Sequence, residues 1–268
     1  MKTDKMGRTH LVVGDVHTKP GQDFRRLDWL GQIIVERQPE VIVFIGDFAD
    51  MESLSSYDEG KKSSEGRRYK ADCQAAKDGM DRVLAPLRAY NEKQARDHKQ
   101  RYKPEMHMIL GNHENRIDRA VENDAKWDGF ASMADLGYEE RGLIVHPFLD
   151  EVDIDGVLYS HYFPSGVMNK AIGGEYTAAT LIRKHHRSCT VGHSHVADWA
   201  QRRVGGGEHI MALVVGCYFE HEEKYVSSIV NQMWWRGLMF CHNVVDGCYD
   251  LEQLSLNTLK KRFLKGDQ

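Results

Sequence analysis

The sequence predicts an α/β fold in one domain with two sheets, and three observations carry that expectation. The first half alternates continuous apolar runs with amphipathic stretches, the second half is a series of short strands with Asp-Gly hairpin signals, and no internal repeat or low-complexity linker divides the two. With 268 residues and a formal net charge of −4, the chain can bury a substantial core as a single domain over 1–268, closed by a strand-rich segment at about 205–256.

Taken in order, THLVVGD (9–15) reads as a buried strand ending in a polar turn. DFRRLDWLGQIIVER (23–37) places Phe24, Leu27, Leu30, Ile33 and Ile34 on one helical stripe, and EVIVFIGD (40–47) is a second buried strand. That βαβ unit implies parallel strands. A polar stretch to about residue 65 reads as loop, followed by helix from about Arg67 to about Lys99, which Pro86 is expected to kink or split. EMHMILGN (105–112) is the third strand, and ENRIDRAVENDA (114–125) a helix behind it. GLIVHPFL, EVDIDGVLYSH, SCTVGHSH and HIMALVVGCYF follow as short strands, interrupted by one helix in GEYTAATLIRKHH. Asp155-Gly156 and Asp246-Gly247 each sit between apolar runs and mark tight hairpins.

No stretch approaches the ~20 apolar residues of a membrane span, and MKTDKMGRTH lacks the apolar segment of a secretory signal, so a cytoplasmic location without membrane association is expected. Five scattered cysteines, never spaced as CxxC, read as reduced and mostly buried thiols. Basic residues cluster in GKKSSEGRRYK (60–70), in 88–103, in IRKHHR (182–187) and in KKRFLKG (260–266). Mixed-sign stretches such as 88–103 read as solvated faces. The 60–70 cluster, with Lys61, Lys62, Arg67 and Arg68, either steers an anionic substrate or is a solvated loop. In YVSSIVNQMWWRG (225–237), read as a strand, Trp234 and Trp235 should face opposite sides, for core packing or for stacking on a base. GGGEH (205–209) reads as a plain loop.

Polar residues gather where the strands end: Asp15 and His17 in GDVH, Asp47 in GDFAD, Asn112 and His113 in GNHE, His161 in LYSH, and His193 and His195 in GHSH. Beyond the carboxyl ends of strands in an open α/β sheet, such groups converge on one crevice. Imidazole, carboxylate and amide oxygen without thiolate suit manganese, iron or zinc, and two divalent ions would clamp a phosphoryl group and generate hydroxide from bound water. Manganese is the expected activating ion.

The ordered set D-x-H, GD, GNH-[DE], a lone His and GH-x-H resembles the calcineurin-like metallophosphoesterase family, over about two-thirds of the chain from Asp15 to His195. The layout, including GKKSSEGRRYKAD, also resembles bacteriophage-encoded members. The resemblance implies a four-layer sandwich of two mixed β-sheets flanked by α-helices. It implies one ion held by Asp15, His17, Asp47 and His195, and a second held by Asp47, Asn112, His161 and His193, with Asp47 bridging. His113 is then the group that meets the scissile phosphate or protonates the leaving alkoxide. Arg116 is either a phosphate-binding fork or an exposed helix arginine, and Asp50 either orients a histidine or caps a turn. The protein phosphatases of the family carry a further arginine-containing block where this chain reads GDFADME. The expected activity is therefore hydrolysis of a phosphodiester in a nucleotide or nucleic acid, with a phosphomonoesterase and a weakly active binding scaffold as the alternatives.

Overall fold

Alternation along the central strands decides the layering. The computed structural model describes residues 7–56, 65–207, 209–222 and 226–264. In β1 (Arg8–Val13) and β2 (Val41–Phe44), separated by α1 (Arg25–Arg37), the side chains of Leu11, Val13, Ile42 and Phe44 pack with α1. Those of Val12, Val41 and Val43 belong to a second core cluster on the opposite face. Successive strand side chains point to opposite faces, so a sheet apolar on both faces must be covered twice.

The remaining elements supply that cover. After α2 (Tyr69–Arg96) come β3 (Glu105–Ile109), α3 (Arg116–Asn123), β4 (Ile144–His146), β5 (Val152–Ile154) and β6 (Val157–Tyr159). The short pair β7 (Pro164–Ser165) and β8 (Lys170–Ala171) precedes α4 (Thr177–His185), β9 (Cys189–Val191), β10 (Ala197–Arg203) and β11 (His209–Val215). The chain closes with α5 (Ser228–Met233), β12 (Gly237–Val245), β13 (Cys248–Ser255) and α6 (Leu256–Leu264). One mixed sheet runs β13-β12-β1-β2-β3-β4 and the other β10-β11-β9-β6-β5. Between them, Val12, Val43 and Ile109 meet Tyr159, Leu213 and Val215. The outer face of the first sheet carries α1, α2 and α6, and that of the second carries α4 through Leu158, Val191, Ala212 and Val214. The result is the expected four-layer arrangement of two mixed sheets flanked by helices.

Both Asp-Gly pairs form the two-residue turns that the sequence indicates. Asp155 and Gly156 have φ of 53° and 85°, and Asp246 and Gly247 of 50° and 81°, the left-handed pair that a tight hairpin requires. The two turns lie against each other, with Gly247 N–H donating to Asp155 O at 2.9 Å.

Several elements differ from expectation. Helix α2 runs unbroken through Pro86, which packs where Gly31 of α1 brings the helices together; a Cβ on Gly31 would lie 2.4 Å from Val83 O. Tertiary packing there outweighs the local cost of the proline. The helix expected over 114–125 is confined to Arg116–Asn123 because Glu114 turns inward. The stretch expected as a strand around 225–237 contains α5, whose start is capped by Ser227 accepting from Val230 N–H. Strand β10 and helix α6 were unanticipated; the first is a half-exposed edge strand and the second was legible only as basic. Among the described residues, no helix is long and apolar enough to cross a membrane.

Candidate metal centre

The loops leaving the strands are stitched to one another, and this brings the polar strand ends together. Val16 and His17 N–H both donate to Asp47 O at 3.0 and 2.9 Å, and Thr18 N–H donates to Phe48 O, so the loops after β1 and β2 run side by side. Across the sandwich, Gly192 N–H donates to His161 O at 3.0 Å, and His193 N–H reaches Asp15 Oδ1 at 3.0 Å. His17, Asp47, His193 and His195 all have φ between 49° and 67°, a conformation uncommon outside glycine that here turns each side chain inward. Two glycines make the approach possible. A Cβ on Gly111 would lie 2.1 Å from Asp47 Oδ1, and one on Gly192 would lie 2.7 Å from Asp15 Oδ1.

Among the described residues, three groups of donor atoms result, each lying within 4.8 Å: Asp15, His17 and His195; Asp47, His161 and His193; and His17, Asp50 and His113. Asp47 Oδ2 lies between the first two groups, 3.9 Å from His17 Nε2 and 3.4 Å from His161 Nε2. Asn112 Oδ1 faces His161 Nε2 at 3.0 Å. The structure thus brings together all seven residues that the sequence nominates as metal ligands. His161 Nδ1–H donates to Ile45 O at 2.9 Å, which turns Nε2 into the cluster. His17 Nε2 and His193 Nδ1 are buried with no hydrogen-bond partner. A buried imidazole nitrogen without a partner is costly, and these two sit within a set of nitrogen and oxygen donors suited to a divalent cation.

Charge is balanced inside the cluster. Burial alone would lower the His17 pKa, but the neighbouring carboxylates of Asp15, Asp50 and Asp47 raise it to about 10. His161 is similarly raised to about 9, against burial, by Asp47 and Asp15. His193, in contrast, is lowered to about 4 by burial and by the neighbouring His161. The Asp47 and Asp50 carboxyls, which burial would push up, are held well below the usual range by the surrounding histidines.

The third group has a different character. Asp50 is buried, and its Oδ1 faces His17 Nδ1 at 3.4 Å and accepts from His113 Nδ1 at 2.8 Å; Lys19 Nζ lies 3.1 Å from Oδ2. One carboxylate therefore orients two rings by their Nδ1 atoms and leaves both Nε2 atoms directed inward. This decides between the two readings of Asp50. His113 Nε2 lies 3.7 Å from Asp47 Oδ2 and accepts from Arg116 Nη2 at 3.1 Å. Arg116 is no exposed helix arginine: it also donates to the main-chain oxygen of Asp50 at 2.8 Å, with its side chain 15% exposed.

Sequence reasoning missed Glu114. Fully buried, it accepts from the N–H groups of Asp47, Ala49 and Gly111 at 3.0, 2.8 and 2.9 Å, tying the loop after β2 to the loop after β3. An acid directly after GNH, ahead of a helix that begins two residues later, was the available signal. Glu114→Ala leaves three buried N–H groups unsatisfied. A loss of about 3 kcal/mol or more is expected in urea unfolding, and a loss below about 1 kcal/mol would show that these loops hold together without it. Of the aromatic wall only Trp234 is nominated by the sequence: Phe219 and Trp234 pack edge-on against His195 at 5.2 and 4.6 Å, and Tyr162 lies 4.7 Å from His193. Trp234 is buried in this wall and Trp235 half-buried, so neither presents an open face.

Of the basic 60–70 cluster, Lys61 and Lys62 lie outside the described residues, as do Glu208 and Tyr225 of the other segments noted above. Arg67 reaches the rim of the site, donating to Glu52 O at 3.2 Å, and Arg68 is exposed. All five cysteines are free.

A family model described as calcineurin-like phosphoesterase matches residues 9–202. The Gene 54 protein of Mycobacterium phage D29 is 26% identical over 209 residues, 76% of this chain and 75% of that protein. Among solved structures, TT1561 of Thermus thermophilus is similar at 8% identity, over 93% of this chain and 99% of that one, with a TM-score of 0.39.

Proposed function

The chain belongs to the calcineurin-like phosphoesterase family, and on that premise we propose that it is a dinuclear metal-dependent hydrolase of phosphodiester bonds in a nucleotide or nucleic acid. The observation that carries this reading is the pair of His/Asp donor groups with the Asp47 carboxylate between them. We assign Asp15, His17, Asp47 and His195 to one ion and Asp47, Asn112, His161 and His193 to the other. The partnerless His17 Nε2 and His193 Nδ1 fit that assignment, and the thiolate-free donor set suits manganese, iron or zinc, of which we take manganese as the activating ion. When bound, such a pair supplies Lewis acidity toward phosphoryl oxygens and lowers the pKa of water.

The chain's own residues do the rest. Asp50 fixes the His17 and His113 rings, and Glu114 fixes the backbone on which Asp47 and Asn112 are carried. His113 holds a proton for the leaving oxygen at Nε2, with the resulting imidazolium stabilised by Asp50 through Nδ1. Arg116, beside that nitrogen, is placed to receive a phosphate oxygen.

The test is a panel of model mono- and diesters assayed with added Mn²⁺, with metal content measured on the same samples. Diester turnover that depends on the ion and exceeds monoester turnover is the expected result. Turnover confined to monoesters would replace this reading with a phosphomonoesterase. Metal-loaded protein that turns over neither class would point to a binding scaffold.

A further inference from the structure

Two elements lead away from the site on the same side. One is the turn at Glu52–Leu54, which follows Asp50 and is tied to Arg67 at the approach to α2. The other is α3, whose first residue is Arg116 and whose eight residues span roughly 12 Å. At the far end of α3 the chain forms a short 3-10 turn at Ala125–Trp127. Between this turn and the start of α2 lies a groove of about 760 Å³.

The lining of the groove is unusual in pairing cations with aromatic faces. Arg67, Arg68, Lys70 and Lys126 contribute positive charge, against Asp124 as the sole acid among the lining residues. Trp127 is half-buried, braced edge-on against Tyr69 at 5.8 Å, and Tyr69 is itself fixed by donating to Asp135 at 2.7 Å. Phe130 is 80% exposed. A large apolar ring left in water beside four cations is poorly explained by packing. A basic track with aromatic platforms is the arrangement that holds successive unpaired bases and their phosphates.

We infer that this groove is the track for a single-stranded nucleic acid running outward from the phosphate-processing site, with Trp127 and Phe130 as stacking platforms and Arg67, Arg68, Lys70 and Lys126 as phosphate contacts. The inference rests on the diesterase reading above and names its substrate class. Single strands fit because stacking on Trp127 or Phe130 needs a base whose face is open, whereas a duplex offers faces only at its ends. Recognition through phosphates and ring faces also implies tolerance of sequence.

The experiment is binding of a fluorescent oligothymidylate to the full chain with divalent ions chelated, read by anisotropy at several salt concentrations, beside turnover of a small chromogenic diester with Mn²⁺. Trp127→Ala and Phe130→Ser are each expected to weaken binding roughly 5- to 100-fold. Lys126→Gln should lower the salt slope by roughly 0.7. The exposed position of Phe130 keeps the test decisive should Trp127→Ala fail to fold. Parental affinity in Phe130→Ser and Lys126→Gln, or equal affinity for a duplex of the same length, would overturn the inference. A parent chain that cleaves the small diester but does not hold the oligonucleotide overturns the groove and leaves the reaction standing. One that holds the oligonucleotide through these residues but cleaves no diester supports the groove and overturns the reaction.

Discussion

Asp47→Asn is expected to abolish hydrolysis, with a loss of about a thousand-fold or more, and to lower the metal content of a chain that still folds. The substitution is close to isosteric, and asparagine tolerates the φ of 50° at this position at least as well as aspartate. Asp47 Oδ1 accepts from His113 N–H at 2.8 Å, and an amide oxygen can keep that bond. The amide nitrogen then takes the place of Oδ2, the atom directed at His17 Nε2 and His161 Nε2. An acceptor becomes a donor there, and the buried negative charge is lost. Neither change is compatible with bridging two cations. Metal analysis and diester turnover on one sample, with far-ultraviolet circular dichroism as the check on folding, decide the matter. Full activity in a folded variant would remove the two-ion reading.

The strand ends were legible because each one combines two local signals. Leu11–Val13, Val41–Phe44 and Met108–Ile109 are buried, and each apolar run breaks off at a polar residue after a glycine, at Asp15, Asp47 and Asn112. Burial of a run and the point where it stops can both be read from neighbouring residues. Glu114 could not be read this way, because its three partners come from two loops whose proximity depends on the order of the strands. The same holds for Phe219 and Tyr162, ordinary aromatics until topology sets them against His195 and His193. Strand β10 escaped because an edge strand carrying Gln201, Arg202 and Arg203 on exposed positions lacks the apolar alternation that marks a half-buried one. Helix α5 escaped because six residues are too few for a period to declare itself, and only Ser227 marked its start.

His113→Ala is expected to separate metal binding from turnover, keeping the ions while slowing hydrolysis of a diester with a poor leaving group by roughly 10²- to 10⁴-fold. The structure gives the reason for both halves. His113 Nδ1–H is committed to Asp50, so the ring works through Nε2 alone, and Nε2 lies 3.7 Å from Asp47 Oδ2, at the edge of the donor cluster. In the structure Arg116 Nη2 donates to that nitrogen at 3.1 Å, which it cannot do once Nε2 carries a proton. Protonation therefore requires the guanidinium to move, and a phosphate oxygen is the acceptor that would draw it away. On the proposed roles of His113 and Arg116, substrate arrival and arming of the acid would be coupled through this one hydrogen bond. The variant should be least impaired on an ester whose leaving group has a low pKa, since that group departs without a proton. A variant that loses metal and activity in parallel would make His113 a part of the ion site, and one slowed equally on good and poor leaving groups would remove its role as the acid.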